Sequence, residues 1–109
     1  MKIFVDIDDT ICTATKDLNY SKAKPIKRNI KHINKLFNMG HEITYWSARG
    51  SQSGIDWEDI TRNQFKAWGV KYHKLILGKK PVFDLLIDDK AINVEQLNQK
   101  LVSSLSLKL

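Results

Sequence analysis

The chain has 109 residues, 42% hydrophobic and 28% charged, which is typical of one globular domain (1–109) with a single core. It contains no apolar stretch of membrane-spanning length, and Asp6, Asp8 and Asp9 interrupt the apolar start, which argues against a signal peptide. Lys and Arg number 18 against 12 Asp and Glu, and the net charge of +6 favours anionic ligands over cationic ones.

The first predicted element is a buried parallel strand that begins at Lys2 and ends in Asp6, Asp8 and Asp9, followed by Thr10. Ligands of open α/β sheets lie at the carboxyl ends of the strands, so Asp6 and Asp8 are expected to project into one crevice. Crowded carboxylates repel one another unless a cation or a reaction uses their charge, and Mg²⁺ is a suitable cation. Taken alone, the cluster is equally consistent with a capped loop or a Ca²⁺ loop.

The region 11–24 has no sustained periodicity, which predicts a loop or an irregular hairpin. It contains the single cysteine, Cys12, which cannot form an internal disulfide and is expected to be a packing residue in a cytoplasmic protein. A helix is predicted from Pro25 to Met39, with Gly40 as its terminator. Its outer face is basic and is interpreted either as solvated surface or as a nucleic-acid surface; it carries Lys27, Arg28, Lys31 and Lys35.

The second predicted strand runs from Glu42 to Ser47 and is followed by a loop rich in turn residues and hydrogen-bond donors. Ser47 therefore lies at a strand end, as the acidic cluster does. Arg49 follows two residues later and has two interpretations, a bidentate contact to a phosphate or a structural ion pair. A second helix is predicted from Trp57 to Trp68, with Asp56 as its N-cap and Gly69 as its end.

Two further strands and a helix complete the predicted elements. A strand from Lys74 to Leu77 precedes Lys79 and Lys80, and an apolar strand from Asp84 to Ile87 precedes Asp88 and Asp89. The last helix is predicted from Asn93 to about Ser103, with a fraying tail from Ser104 to Leu109. This alternation predicts an α/β fold, in which a three-layer, Rossmann-like parallel sheet is flanked by helices.

The acidic motif and the three later strand ends occur in a characteristic order. The spacing Asp6-Ile7-Asp8-Asp9-Thr10, followed by Ser47, by Lys80 and by the pair Asp88 and Asp89, resembles the four motifs of the haloacid dehalogenase (HAD) superfamily. The gaps between these motifs are occupied by one helix and short loops, so the resemblance is to a member without a cap domain. The segments 40–50, 68–73 and 87–91 look like a small bacterial subgroup associated with capsular polysaccharide biosynthesis and distantly similar to polynucleotide-kinase phosphatase domains.

The resemblance implies a role for each motif residue. Asp6 would form a phosphoaspartate, and Asp8 would act first as general acid and then as general base. Ser47, a position where many relatives have Thr, would hold a phosphate oxygen together with loop amides at Ala48 and Arg49. Lys80 would neutralise the nucleophile and the phosphate, and its Lys-Pro-x-x-Asp context favours it over Lys79. The Mg²⁺ ligands would be Asp6, Asp8, Asp88 and Asp89, although Asp89 could instead bind a metal-bound water or Lys80.

The resemblance implies an Mg²⁺-dependent phosphatase whose substrate is a phosphosugar of surface polysaccharide biosynthesis. The absent cap leaves an open crevice, which admits a phosphorylated small molecule or the phosphorylated end of a larger molecule, and a second copy of the chain could cover it. No membrane partner is expected. Two alternatives stay open: a 3′-phosphatase acting on polynucleotide ends, and a non-catalytic nucleic-acid-binding module with a structural metal site.

Overall fold

A computed structural model describes residues 1–105 of the chain. The strands are β1 (Lys2–Val5), β2 (Glu42–Ser47) and β3 (Lys74–Leu77), the α-helices are α1 (Lys27–Asn38), α2 (Glu58–Trp68) and α3 (Gln99–Leu105), and two 3₁₀ turns span Tyr20–Lys22 and Val94–Gln96. None of the helices in this part of the chain has the length and apolarity needed to cross a bilayer. The predicted fraying tail overlaps α3 at its start, and its remainder, 106–109, lies outside the described residues.

The three strands form one parallel sheet in the order β1-β2-β3, which confirms the predicted α/β class. Helix α1 and the end of α2 lie side by side on one face, where the Asn34 side chain donates to the Gly69 carbonyl at 2.8 Å, as right-handed crossovers in this strand order require. On that face Val5 and Tyr45 are buried, and the Tyr45 ring contacts Phe65 of α2 at 4.9 Å. On the opposite face Phe4 is exposed and packs edge-on against Trp46. The described residues thus cover one face more fully than the other, whereas the sequence predicted helices on both.

Helices α1 and α2 lie close to their predicted positions because periodicity and end signals agree. Ile30, Ile33 and Leu36 form the buried stripe of α1. The Asp56 carboxylate accepts the Glu58 N–H at 2.9 Å, which satisfies one of the free donors in the first turn of α2. Helix α2 ends at Gly69, whose φ of 69° is accessible to glycine at little cost.

The predicted strand from Asp84 to Ile87 is not present; the segment has no regular structure and no sheet partner. Its apolar side chains are solvent-exposed, and Ile87 is 89% exposed. Strand propensity is expressed only where a neighbouring strand supplies hydrogen bonds and a packing surface, and the described chain supplies neither to this segment.

The predicted helix from Asn93 to Ser103 is divided into two shorter elements. Asn93 caps a 3₁₀ turn, where its side chain accepts the Glu95 N–H at 2.9 Å and its own N–H donates to the Gln96 side chain at 3.0 Å. Helix α3 then begins at Gln99 and packs against α1, with Val102 fully buried. The turn ends at Leu97, whose backbone is extended, and the Asn98 side chain then accepts the Leu101 N–H at 2.8 Å at the start of α3. These local capping interactions divide the segment, which the periodicity of its side chains cannot reveal.

Candidate active site

A cavity of about 410 Å³ lies at the carboxyl ends of β1 and β2. Six of the predicted site residues line it: Asp6, Asp8, Ser47, Ala48, Arg49 and Lys80. The remaining lining comes from the loop after β1 and from the chain after β3; it consists of Asp9, Ala14, Thr15, Leu18, Tyr20, Pro81, Val82 and Phe83. The structure therefore brings the first three predicted motifs together at one edge of the sheet, as their strand-end positions required.

Asp6 and Lys80 form an ion pair in this cavity, with 3.0 Å between Lys80 Nζ and Asp6 Oδ1. The ammonium group also lies near the rings of Trp46 and Phe83, at 5.2 and 5.4 Å from their centroids. The Lys80 side chain is 9% exposed and that of Asp6 is 41% exposed, so solvent reaches the carboxylate more easily than the amine. Asp6 Oδ2 has no hydrogen-bond partner among residues 1–105.

The same contacts distinguish the two adjacent lysines. Lys79 is exposed and does not line the cavity, whereas Lys80 is buried and paired with Asp6. The Lys80 carbonyl also accepts the Ser51 hydroxyl at 2.9 Å, which links the chain after β3 to the loop after β2. Lys80 is thus the lysine that the fold places at the predicted site.

The acidic loop after β1 is a compact hydrogen-bonded turn. The Ile7 carbonyl accepts the N–H groups of Thr10 and Ile11 at 3.1 and 2.9 Å, and the Asp9 N–H donates to the Cys12 carbonyl at 2.8 Å. Asp9 has a φ of 61°, in the left-handed region that Asp tolerates better than most residues. Its carboxylate accepts the Ala14 N–H at 3.3 Å. Asp9, for which the sequence indicated no role, therefore shapes the turn that presents Asp6 and Asp8.

Asp8 is held by Arg49 in a bidentate ion pair. The Nε and Nη2 groups of Arg49 donate to Asp8 Oδ2 and Oδ1 at 3.0 and 2.9 Å. The other N–H groups are also used, and the acceptors are Thr61 Oγ1 at 2.9 Å, Gln64 Oε1 at 2.7 Å and Cys12 Sγ at 3.6 Å. Tyr20 stacks on the guanidinium at 4.8 Å, and Arg49 is only 1% exposed.

All five N–H donors of the Arg49 side chain are therefore engaged by protein groups. Of the two interpretations of Arg49, the structure favours the ion pair over a side-chain contact to a phosphate. Its backbone remains at the cavity, where the Arg49 N–H donates to Ser47 Oγ at 3.0 Å. The guanidinium fixes the position of Asp8 and has no donor left for a ligand.

Ser47 is buried at the end of β2, and its Oγ accepts the Arg49 N–H. Its hydroxyl hydrogen has no acceptor among residues 1–105. A buried hydroxyl with one free donor at the cavity wall can bind an anionic oxygen. Ala48, from which a loop amide was expected to bind phosphate, lies beside it in the lining.

The remaining predicted metal ligands lie elsewhere. Asp88 and Asp89 are exposed in the segment without regular structure, and neither lines the cavity. The N–H of Lys90 donates to Asp88 at 3.1 Å, and this bond, together with a hydrogen bond to Asp89, lowers the pKa of Asp88. Residues 1–105 contain no group of three or more side chains arranged to hold a metal. The structure thus gathers Asp6 and Asp8 but not Asp88 and Asp89.

Sequence reasoning missed the residues that surround Arg49. Thr61 and Gln64 project from α2 toward the guanidinium, and the Gln64 side chain also donates to the Tyr20 carbonyl at 2.7 Å. The sequence did contain one indication of this network. Thr61 lies four positions before the inward-facing Phe65 and is therefore a polar residue on the buried face of α2. A polar side chain on the buried face of a helix usually has a buried polar partner.

Cys12 is fully buried beside this network, and its thiol is expected to be unreactive. Burial, reinforced by the nearby Asp8 carboxylate, raises the pKa of Cys12 to about 12. At pH 8 almost no thiolate is present, so labelling by a thiol reagent such as DTNB should be at least about a hundredfold slower in the native protein than in urea. Equal labelling rates in the two states would contradict this prediction.

Comparison with known proteins identifies a fold. Neither a protein-family model nor a curated protein matches the chain. The crystal structure of a target protein from Vibrio cholerae is similar, with a TM-score of 0.77 and 24% sequence identity over 99% of this chain and 98% of that chain. Sequence identity at this level supports a statement about architecture only, and the chain therefore shares the α/β fold of that Vibrio cholerae protein over nearly its whole length.

Proposed function

We propose that this protein is a HAD-type phosphatase that hydrolyses phosphomonoesters through a phosphoaspartate on Asp6, and that its sheet belongs to the Rossmann-like HAD fold. The observation that carries the proposal is the pairing of Asp6 with Lys80 in a cavity that also contains Asp8 and Ser47. A carboxylate nucleophile beside an ammonium group and a free hydroxyl donor is suited to phosphoryl transfer, which depends on positioning and charge stabilisation.

The proposed first displacement uses the unpartnered oxygen of Asp6. Asp6 Oδ2 attacks phosphorus, the bond from phosphorus to the ester oxygen breaks, and the departing alkoxide takes a proton from Asp8. The second displacement reverses this use of Asp8, which accepts a proton from water as the water attacks the phosphoaspartate and releases Asp6. Asp8 Oδ1 accepts Arg49 and also lies 3.5 Å from the Cys12 thiol, whereas Oδ2 has a lone-pair site beyond its Arg49 contact. Oδ2 can therefore carry the transferred proton while the hydrogen bonds from Arg49 keep Asp8 in position.

The neighbouring groups stabilise the transferred phosphoryl group. The Lys80 ammonium lies 3.0 Å from Asp6 and balances negative charge at the point of attack. The free hydroxyl hydrogen of Ser47 and the amide at Ala48 would bind the non-bridging oxygens. Arg49 contributes indirectly, since its guanidinium fixes the orientation of Asp8.

Mg²⁺ is part of the proposal as the cofactor. Asp6 fits such a role because Oδ1, the carboxylate oxygen that does not attack phosphorus, is a hard ligand that can accept an ion as well as the Lys80 ammonium group. The backbone carbonyl of Asp8, two residues later, would be a second oxygen ligand. When bound, the ion would neutralise charge on the phosphate. Asp88 and Asp89 would complete the ligand set only if the segment 84–89 moved to the cavity, since both are now exposed outside it.

A substrate panel tests this function and separates it from its alternatives. Phosphate release should be measured from sugar phosphates, nucleotides and 3′-phosphorylated oligonucleotides, each with Mg²⁺ and with EDTA. Mg²⁺-dependent release from sugar phosphates supports the capsular-type phosphosugar substrate, and release confined to oligonucleotides supports a 3′-phosphatase. No hydrolysis of any member, together with salt-sensitive oligonucleotide binding, would contradict the phosphatase and favour the binding module.

The adjacent lysines provide a matched pair of variants. Lys80→Ala should lower kcat/KM by about a hundredfold, because it removes the one ammonium group beside Asp6 in the described chain. Lys79→Ala removes the same charge from an exposed position and should change kcat/KM less than about twofold. Steady-state hydrolysis of para-nitrophenyl phosphate measures both, and equal losses would show that Lys80 has no specific role.

A further inference from the structure

A second cavity, of about 580 Å³, lies along α1 and the end of α2, outside the candidate active site. The apolar residues of its lining form the floor, and they are Pro25, Ile30, Ala67 and Trp68. Four lysines surround this floor: Lys27, Lys31, Lys35 and Lys71. We name this surface the lysine groove, and its lining contains no acidic residue among those described.

Three of these lysines form a regular row along α1. Lys27, Lys31 and Lys35 are spaced by four residues, which places successive side chains about 6 Å apart along the helix and on one side of it. All three are exposed, and none forms an ion pair within residues 1–105. The groove therefore presents a line of uncompensated positive charge.

The row is unfavourable for the helix itself. Like charges four residues apart repel one another, and basic residues in a first turn oppose the helix dipole. Helix α1 has both features, since Lys27 and Arg28 begin it and no acidic residue occurs in it. A bound polyanion would relieve both repulsions, so the arrangement is consistent with a ligand more than with a surface that serves only solubility.

The opposite side of the groove is fixed in place. The Asn34 side chain donates to the Gly69 carbonyl at 2.8 Å and accepts the Lys71 N–H at 2.9 Å, which joins α1 to the chain that follows α2. Lys71 Nζ donates to Asn38 Oδ1 at 3.0 Å. Lys71 and the half-buried Trp68 are thus held across from the row on α1, and the groove is preformed.

We propose that the lysine groove binds single-stranded nucleic acid, with phosphates along the lysines and a base against Trp68. Charge complementarity and the apolar floor both favour this ligand. The rim, formed by the four lysines, can bind phosphates, and the aromatic surface can stack with base faces, as in sequence-tolerant single-strand binders. An acidic polysaccharide would use the rim but has no aromatic group to place on the indole. This inference goes beyond the proposed phosphatase and does not depend on it.

One end of the groove approaches the candidate active site. Pro25, in its lining, forms a β-bridge with Cys12, which follows Asp8 by four residues in the acidic loop. The first turn of α1 consequently lies at the same edge of the sheet as the cavity that holds Asp6. A single-stranded nucleic acid bound along α1 would therefore have one end directed toward the candidate active site.

Fluorescence anisotropy of a labelled single-stranded DNA tests the proposal. A length of about 12 nucleotides is suitable, since it lies within the usual site size of single-strand binders. The variant Lys27→Gln/Lys31→Gln/Lys35→Gln should weaken binding at least about tenfold at low salt. The plot of the logarithm of the association constant against the logarithm of the salt concentration should also become less steep, by about 2 in the magnitude of its slope, because three phosphate contacts are lost. The control Lys2→Gln/Lys90→Gln/Lys100→Gln removes the same charge from exposed sites outside the groove and should weaken binding less than about threefold.

Trp68→Leu tests the stacking contact without changing charge. It should weaken DNA binding by about fivefold or more while leaving the affinity for inorganic polyphosphate unchanged. Equal losses in the two triple variants, or no DNA binding by the wild-type protein, would overturn the proposal. Unchanged DNA binding by Trp68→Leu with tight heparin binding would also overturn it, in favour of an acidic polysaccharide. Urea unfolding of every variant establishes that each is folded under the assay conditions.

Discussion

Replacing Asp6 by Asn is expected to lower phosphatase turnover by at least about a thousandfold with little change in stability. The carboxamide has the same shape as the carboxylate but cannot form the covalent intermediate. Its oxygen can still accept the Lys80 ammonium group, so the free energy of unfolding should fall by only about 1 kcal/mol. Hydrolysis of para-nitrophenyl phosphate and urea unfolding measure the two effects separately.

Asp59→Asn is the matched control for this substitution. Asp59 is exposed in the first turn of α2 and does not line the cavity, so its loss of charge should change turnover less than about twofold. If Asp6→Asn turned over substrate as fast as Asp59→Asn, Asp6 could not be the nucleophile. Rapid quenching should also trap an acid-stable phosphoprotein with the wild-type chain and none with Asp6→Asn.

The second large effect is on stability and concerns Arg49. Arg49→Met should lower the free energy of unfolding by about 3–5 kcal/mol, because it leaves Asp8 without its bidentate partner and Thr61 and Gln64 without their guanidinium contacts. The exposed Arg62, which pairs with Glu58 at 3.5 Å, provides the control, and Arg62→Met should cost less than about 1 kcal/mol. Urea unfolding measures both variants.

A double variant identifies the cause of that loss. Asp8→Leu/Arg49→Met removes both charges, so no unpaired carboxylate is left to destabilise the fold. Its free energy of unfolding should be higher than that of Arg49→Met by about 1 kcal/mol or more. If the double variant is no more stable than Arg49→Met, the loss comes from the missing guanidinium contacts, including the one with Tyr20, and not from the unpaired Asp8 carboxylate. Equal stability of Arg49→Met and Arg62→Met would contradict the structural role assigned to Arg49.

The sequence predicted the central sheet well because each strand is an apolar run between clear turn residues. The bounds of β2 and β3 were predicted as the structure has them, and α1 and α2 differ from prediction by one or two residues at their ends. Glycines at the helix ends and Asp56 before α2 are local signals, since they act through backbone groups only a few residues away. Local signals survive in almost any tertiary context.

The strand predicted from Asp84 to Ile87 shows the opposite case. Its residues have the composition of a buried strand, but a strand exists only when another strand accepts it, and no local pattern specifies that partner. The predicted metal ligands Asp88 and Asp89 depended on this strand for their position. Because the structure lacks this strand, the prediction that both residues lie at the sheet edge is wrong.

The sequence by itself determined the α/β class, the first three strands and the convergence of Asp6, Asp8 and Ser47 with a lysine that follows the third strand. The reason is that parallel strands place their carboxyl ends at one edge whatever the details of packing. Only the tertiary structure decided between Lys79 and Lys80, and between a ligand contact and an ion pair for Arg49. Those choices depend on which donors meet which acceptors across distant segments, and such pairings are set by packing in three dimensions, not by spacing along the chain.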